Sequence, residues 1–221
     1  PTLDGEPCYE DHPVRGLMKD KKPTEWFDDY DVRRAAWWSV LSGACGHVYG
    51  THSIWQFHDL TKRKAQTDAR TPWQQALDLP GAAQMGVMKK FLEGLEWTKL
   101  RRDDSLIQVN GGAGTADKKP MAAVAEDGSF AVVYVPKNVN DVFFAGLKQM
   151  GGVPEARAID PATGEQLGVL GISSGAGPIY HVIPAIGLDF TKTDGKAEKK
   201  KAQEPGVWEK DWGLLLTRKQ P

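Results

Sequence analysis

Apolar residues recur at helical spacing in two places early in the chain. From Tyr30 to about Cys45 they fall at Val32, Ala36, Val40 and Ala44, with a neighbouring row at Trp37 and Leu41. This period predicts an amphipathic helix, opened by the acidic Asp28, Asp29 and Asp31 and left near Gly43 and Gly46. Between Pro80 and Trp97, the residues Val87, Met88, Phe91, Leu92 and Leu95 share one face and predict a second helix. The glycine-bounded GHVYG at 46–50 reads as a short buried strand, and the opening PTLDGE as another that ends on Glu6. The predicted order is strand, helix, strand, helix. Long irregular stretches at 8–29 and 51–79 follow the two strands, and in α/β architectures function gathers at the C-terminal ends of strands.

Past Trp97 the period changes to that of strands. MAAVAEDGSFAVVYVP is two β-rich runs joined at Asp127-Gly128, a strong short-range hairpin signal. VNDVFFAGL, VPEARAID, EQLGVL, PIYHVIP and GVWEKDWGLLLTRK continue the series, separated by turn clusters such as DPATGE and SSGAGP. No long helix is predicted there, and the pattern is that of an antiparallel sandwich. The sequence therefore divides at 1–97, α/β, and 98–221, all-β. KTDGKAEKKK at 192–201 reads as a solvated loop, and GGAGT at 111–115 as a linker without a Walker lysine.

Composition narrows the chemistry. A formal charge of −1 gives no electrostatic reason for a nucleic-acid or anionic-membrane partner, and no apolar run is long enough to span a bilayer. The five histidines form no HxxxH or HExxH pair, so no metal is expected; no cofactor is expected either. Cys8 and Cys45 have no CxxC spacing and leave the redox compartment open. Eight tryptophans are many for 221 residues; their flat faces suit either core filling or stacking on sugar rings.

GEPCYE at the end of the first strand, the block YDVRRAAWWSVLSGACGHVYGTHSIWQF and the later LEWTKLRRDDSLI resemble the last part of the catalytic barrel of apiosidase-like glycoside hydrolases. AVVYVP, ARAIDPATGE and WGLLL resemble the β-sandwich that follows that barrel in the same family, where it carries the label of a collagen-binding domain. One departure is Ile159, where the family often has an aromatic residue before the Asp-Pro turn. The resemblance implies the seventh and eighth strands of a (β/α)8 TIM barrel with their helices at 1–97, then an antiparallel β-sandwich at 98–221. It further implies a preceding barrel segment as partner, a carbohydrate substrate of the plant polysaccharide type, and a secreted or periplasmic location.

Retaining glycosidases use two carboxyl groups roughly 5 Å apart, one attacking the anomeric carbon and one protonating the leaving oxygen. The resemblance places the nucleophile on Glu6, with the general acid upstream of this chain, so that the chain alone is expected to be inactive. Glu10 is the rival carboxylate, able to bind sugar hydroxyls, to orient Glu6 through Tyr9 or to form a structural salt bridge. Tyr9, Tyr49 and His52 are candidates for hydrogen bonds to hydroxyls, and Trp55 for the stacking platform. His12 follows the same strand end; as a loop histidine it suits the pocket or a surface or capping position. A competing expectation is a non-catalytic carbohydrate- or matrix-binding sandwich with the barrel remnant as scaffold.

Overall fold

A computed structural model describes residues 1–14, 25–62, 64–109, 118–139, 142–144, 147–170, 172–174, 180–182 and 210–219. The glycine-rich 111–115 and the lysine-rich 192–201 lie outside the described residues. The chain divides into two compact units, Pro1–Trp97 with Pro161–Gly164, and Thr98–Asp160 with Glu165–Pro221.

The first unit is built on helices α1 (Asp29–Leu41) and α4 (Pro80–Glu93), with one-turn helices α2 (His52–Trp55) and α3 (Trp73–Ala76) between them. Helix α1 starts at a capping box: the Asp28 carboxylate accepts the Asp31 N–H, and Asp31 returns the bond to the Asp28 N–H. It ends at Ser42, earlier than the apolar pattern suggests, because Gly43 turns the chain with φ +101°. Trp37, fully buried, lies 5.5 Å from the Phe91 ring of α4. Between the same helices, Arg33 donates to Gln84, and Gln84 donates to Asp29 at 2.7 Å. Burial raises the Asp29 carboxyl, but the bonds from Gln84 and Arg33 outweigh it and hold the group below the usual range.

The segments expected to be barrel strands run parallel, although as isolated bridges rather than continuous strands. Asp4 pairs with His47 and Glu10 with Thr51. Their bonds include Cys45 N–H to the Thr2 carbonyl at 2.8 Å, Val48 N–H to Asp4 at 2.9 Å and His52 N–H to Glu10 at 2.9 Å. The first segment advances from residue 4 to 10 while the second advances only from 47 to 51. The surplus chain, which includes Glu6 and Tyr9, leaves the ladder.

The second helix stops short of the Trp97 expected as its end, and the second unit begins at Thr98. Gly94 closes α4, and the chain enters β1 (Leu100–Arg102) and β2 (Ile107–Val109). The Asp-Gly hairpin forms between β3 (Met121–Ala125) and β4 (Phe130–Val135), with Gly128 at φ +65° and its N–H on the Ala125 carbonyl at 2.7 Å. There follow β5 (Val142–Phe144), β6 (Glu155–Ile159), β7 (Gln166–Leu170), β8 (Ile172–Ser174), β9 (Tyr180–Val182) and β10 (Trp212–Thr217). Strand β8 takes up the first two serines of SSGAGP, which the sequence assigned to a turn.

These strands form two antiparallel sheets, in the orders β1-β3-β4-β10-β6-β7 and β2-β5-β9-β8. One apolar cluster draws Ala122, Val124, Val133, Leu214 and Leu216 from the larger sheet and Val142 and Phe144 from the smaller. Strand β10 is central, paired over its full length with β4 and over five residues with β6. This explains its near-continuous apolar sequence.

Candidate active site

The surplus chain after Asp4 forms one wall of a cleft of about 450 Å³, lined by Glu6, Pro7, Cys8, Tyr9, His12, Phe27 and Trp55. Glu6 is exposed there. The Tyr9 hydroxyl donates to its Oε1 at 3.4 Å, a long bond that orients the carboxylate without burying it. Tyr9 in turn rests on Gly50: a Cβ at that position would lie 2.8 Å from two atoms of the Tyr9 ring. The glycine at the end of GHVYG therefore admits an aromatic ring of the protein itself.

His12 and Phe27 meet because residues 11–14 pair with 25–27. Asp11 N–H donates to Phe27 at 2.8 Å, Phe27 N–H to His12 at 2.9 Å, and Pro13 bridges Trp26 in antiparallel sense. The His12 Nδ1 donates to the Pro13 carbonyl at 2.8 Å, since a carbonyl only accepts, so in the neutral ring Nε2 carries the lone pair. Burial, reinforced by Asp31 and opposed by Arg34, pushes the Cys8 thiol up to about 11. It is protonated at neutral pH and a poor nucleophile. Glu6 is the one carboxylate among the described residues that line the cleft.

Six residues carried the sequence-based expectation, and the fold separates them. Glu6, Tyr9 and Trp55 line the cleft together; Glu10, Tyr49 and His52 do not. Glu10, 3% exposed, accepts the Tyr49 hydroxyl at 2.5 Å and the Gly81 N–H in the first turn of α4 at 3.0 Å. It joins both parallel segments to the positive end of a helix, through hydrogen bonds rather than the salt bridge named among its three readings. Burial, the largest influence, raises its carboxyl against the lowering by Tyr49 and Gly81. Tyr49 is raised too, by burial and by the adjacent carboxylate, and remains a neutral donor.

His52 is fully buried and out of reach of a ligand in the cleft. It sits under the lining, with its ring edge-on to His12 at 4.4 Å and its Nδ1 bonded to the indole N–H of Trp55 at 3.0 Å. Trp55 itself is half exposed. The sequence reading left Pro7, Cys8 and Phe27 out of the lining. Pro7 and Cys8 follow from the position of Glu6, whereas no periodicity marks Phe27, which depends on the pairing of 11–14 with 25–27. In the second unit the described aromatics Phe130, Tyr134, Phe144 and Trp212 are all buried. Phe143, Tyr180 and Trp208 have no described side-chain environment.

Residues 1–99 match the family model described as apiosidase-like, catalytic domain. No curated protein matches the chain. Among solved structures, one named glycoside hydrolase aligns with a TM-score of 0.71 at 24% identity. A second, a glycoside hydrolase family 5 protein from Bacteroides vulgatus ATCC 8482, aligns with a TM-score of 0.71 at 23% identity. Each alignment covers 98% of this chain and 42% of the other, so the chain spans less than half the length of these structures. At such identity the likeness concerns the fold.

Proposed function

Taking the apiosidase-like sequence of residues 1–99 as the starting point, we propose that the chain is the C-terminal part of a glycoside hydrolase. In this reading residues 1–97 are the last two βα units of a (β/α)8 barrel, and residues 98–221 an antiparallel β-sandwich. Three observations support it: the parallel pairing of the first two extended segments, the exposure of Leu3 and Val48, which neighbouring strands would cover, and the single apolar cluster shared by two sheets. The enzyme acts on plant-type polysaccharide side chains, of which apiosides are one class, outside the cell or in the periplasm.

The reading is carried by one juxtaposition: a solvent-accessible carboxylate, Glu6, and a half-exposed indole, Trp55, line the same cleft. The indole receives the apolar face of a sugar ring. Glu6 attacks the anomeric carbon, forming a glycosyl ester while the bond to the leaving oxygen breaks; water then cleaves the ester with retention. The proton for the leaving oxygen comes from a second carboxyl group outside this chain, in keeping with a described lining whose one carboxylate is Glu6.

The test is turnover of an aryl glycoside by the full-length protein. Glu6→Gln should lower kcat by about a thousandfold or more, as loss of a covalent nucleophile does. Glu6→Ala with added azide should yield a glycosyl azide of inverted configuration, because the small anion attacks where the carboxylate did. Wild-type turnover in Glu6→Gln would end the assignment.

A further inference from the structure

The ring of His52 is bonded at both nitrogens, and the partners determine its state. Nε2 lies 3.1 Å from the Thr67 carbonyl, which can only accept, so Nε2 bears the proton; the Gln56 amide nitrogen, 3.4 Å from Nε2, directs its two N–H groups to the carbonyls of His52 and Gln66. Nδ1 is then a lone pair, and it receives the Trp55 indole N–H at 3.0 Å. Thr67 also brings its hydroxyl to 3.0 Å from Nε2 and holds φ +48°, a costly conformation for a β-branched residue that persists only where surroundings impose it. The loop around Thr67, the fully buried imidazole and the half-exposed indole thus form one chain of bonds from the interior to the cleft wall.

We propose that His52 is a positioning residue: fixed in its Nε2–H form by the Thr67 carbonyl, it holds the Trp55 N–H on Nδ1 and so sets the face that Trp55 turns to the cleft. The role of that face in stacking a sugar rests on the carbohydrate reading above; the hydrogen bonds do not. A proton on Nδ1 removes the acceptor and sets two N–H groups against each other, so acidification frees the indole. The groups facing His52 are the His12 ring, Asp11, Gln56, Gln66, Thr67 and Trp55. Burial, the largest influence, and the neighbouring His12 disfavour the added proton, whereas the backbone of Thr67, Asp11 and the backbone of Gln66 favour it, and the balance keeps His52 neutral to below the ordinary histidine range.

The experiment follows the indole N–H resonances of the 221-residue chain, with that of Trp55 identified by its loss in Trp55→Phe. At neutral pH it should lie downfield and exchange slowly. On acidification it should move to the solvent-bonded position with the same midpoint as the His52 ring carbons. His52→Phe should abolish the downfield shift, and His52→Gln, whose side-chain carbonyl is an acceptor, should restore part of it. Should His52→Phe fail to fold, the acid titration of the wild type still decides. A Trp55 resonance that ignores the His52 titration, or is unchanged in His52→Phe, overturns the proposal. Methyl glycosides of pentoses and hexoses serve as probes of the cleft. A sugar that shifts Trp55 should bind His52→Phe about five- to tenfold more weakly, the size of one hydrogen bond, and undiminished binding counts against positioning. If no sugar perturbs Trp55 in the wild type, the indole resonance alone decides the hydrogen-bond chain, and the carbohydrate reading is decided by the turnover of Glu6→Gln in the full-length protein.

Discussion

Glu6 and Glu10 stand four residues apart in one short stretch, and their surroundings give them opposite properties. Glu6 is exposed with one long bond from Tyr9; Glu10 is buried, with bonds from Tyr49 and Gly81. No local pattern distinguishes them, because the difference lies in which residue the parallel ladder catches and which it leaves outside. The sequence accordingly left Glu10 between binding and structural roles. His52 was illegible for the same reason: its partners Gln66 and Thr67 lie in a loop with no periodicity. We expect Glu10→Ala to destabilise the first unit by about 1–3 kcal/mol, the cost of a buried N–H left without its acceptor and a hydroxyl left with Thr51 alone. Glu10→Gln keeps an oxygen for one of the two donors and should lose less. The pH dependence tells the two variants from the parent. Because the folded carboxyl titrates above the unfolded one, the native state holds the proton more tightly, and this group's contribution to stability declines as pH rises through the window between the two values. Urea denaturation across the mildly acidic range should show that slope in the parent and lack it in Glu10→Gln; an identical slope in both would refute the account.

At the scale of elements, what the sequence made legible was what local chemistry decides. The 3.6-residue period located α1 and α4, and Asp127-Gly128 located the β3–β4 hairpin. The ends were less readable. Leu95 continues the apolar face of α4, yet Gly94 stops the helix and the chain proceeds into β1, a strand whose only warrant is its pairing with β3. Helices α2 and α3 are single turns too short to carry a period. Helix α4 also contains a direct comparison, since two of its glycines differ in surroundings. A Cβ at Gly81 would lie 2.3 Å from Glu10 Oε2 and 2.9 Å from both Tyr49 and Val32, whereas at Gly86 it would meet nothing within 4 Å. Gly86→Ala should therefore stabilise by about 0.5–1 kcal/mol through helix propensity. Gly81→Ala gains the same propensity but forces the junction apart, and we expect a net loss of about 1–3 kcal/mol. Thermal denaturation of the two variants should shift in opposite directions, and a shared direction would mean that the junction around Glu10 yields easily.

Over the whole molecule, the two units distribute their apolar surface differently. Among the described residues, the large exposed hydrophobics Leu3, Val48, Trp55, Phe57, Leu60 and Leu77 belong to the first unit, and Val153 alone to the second. In the first, the segments that carry the cleft are joined by isolated bridges. In the second, β4 and β10 are paired over six residues, β4 buried along its whole length and β10 at all but two positions. Local opening costs least where backbone hydrogen bonds are few and apolar contacts sparse, and most where a central strand must leave both neighbours. Amide hydrogen exchange on the 221-residue chain should therefore be slowest at 130–135 and 212–217, and faster by about tenfold or more at 1–10 and 45–51. The glycosidase reading requires the same ordering, because strands made for the interior of a closed barrel lose much of their protection when an edge is free. Equal protection of the two regions would mean that the parallel segments are held as firmly as a complete sheet would hold them, and the case for further barrel units beside Leu3 and Val48 would fail with it.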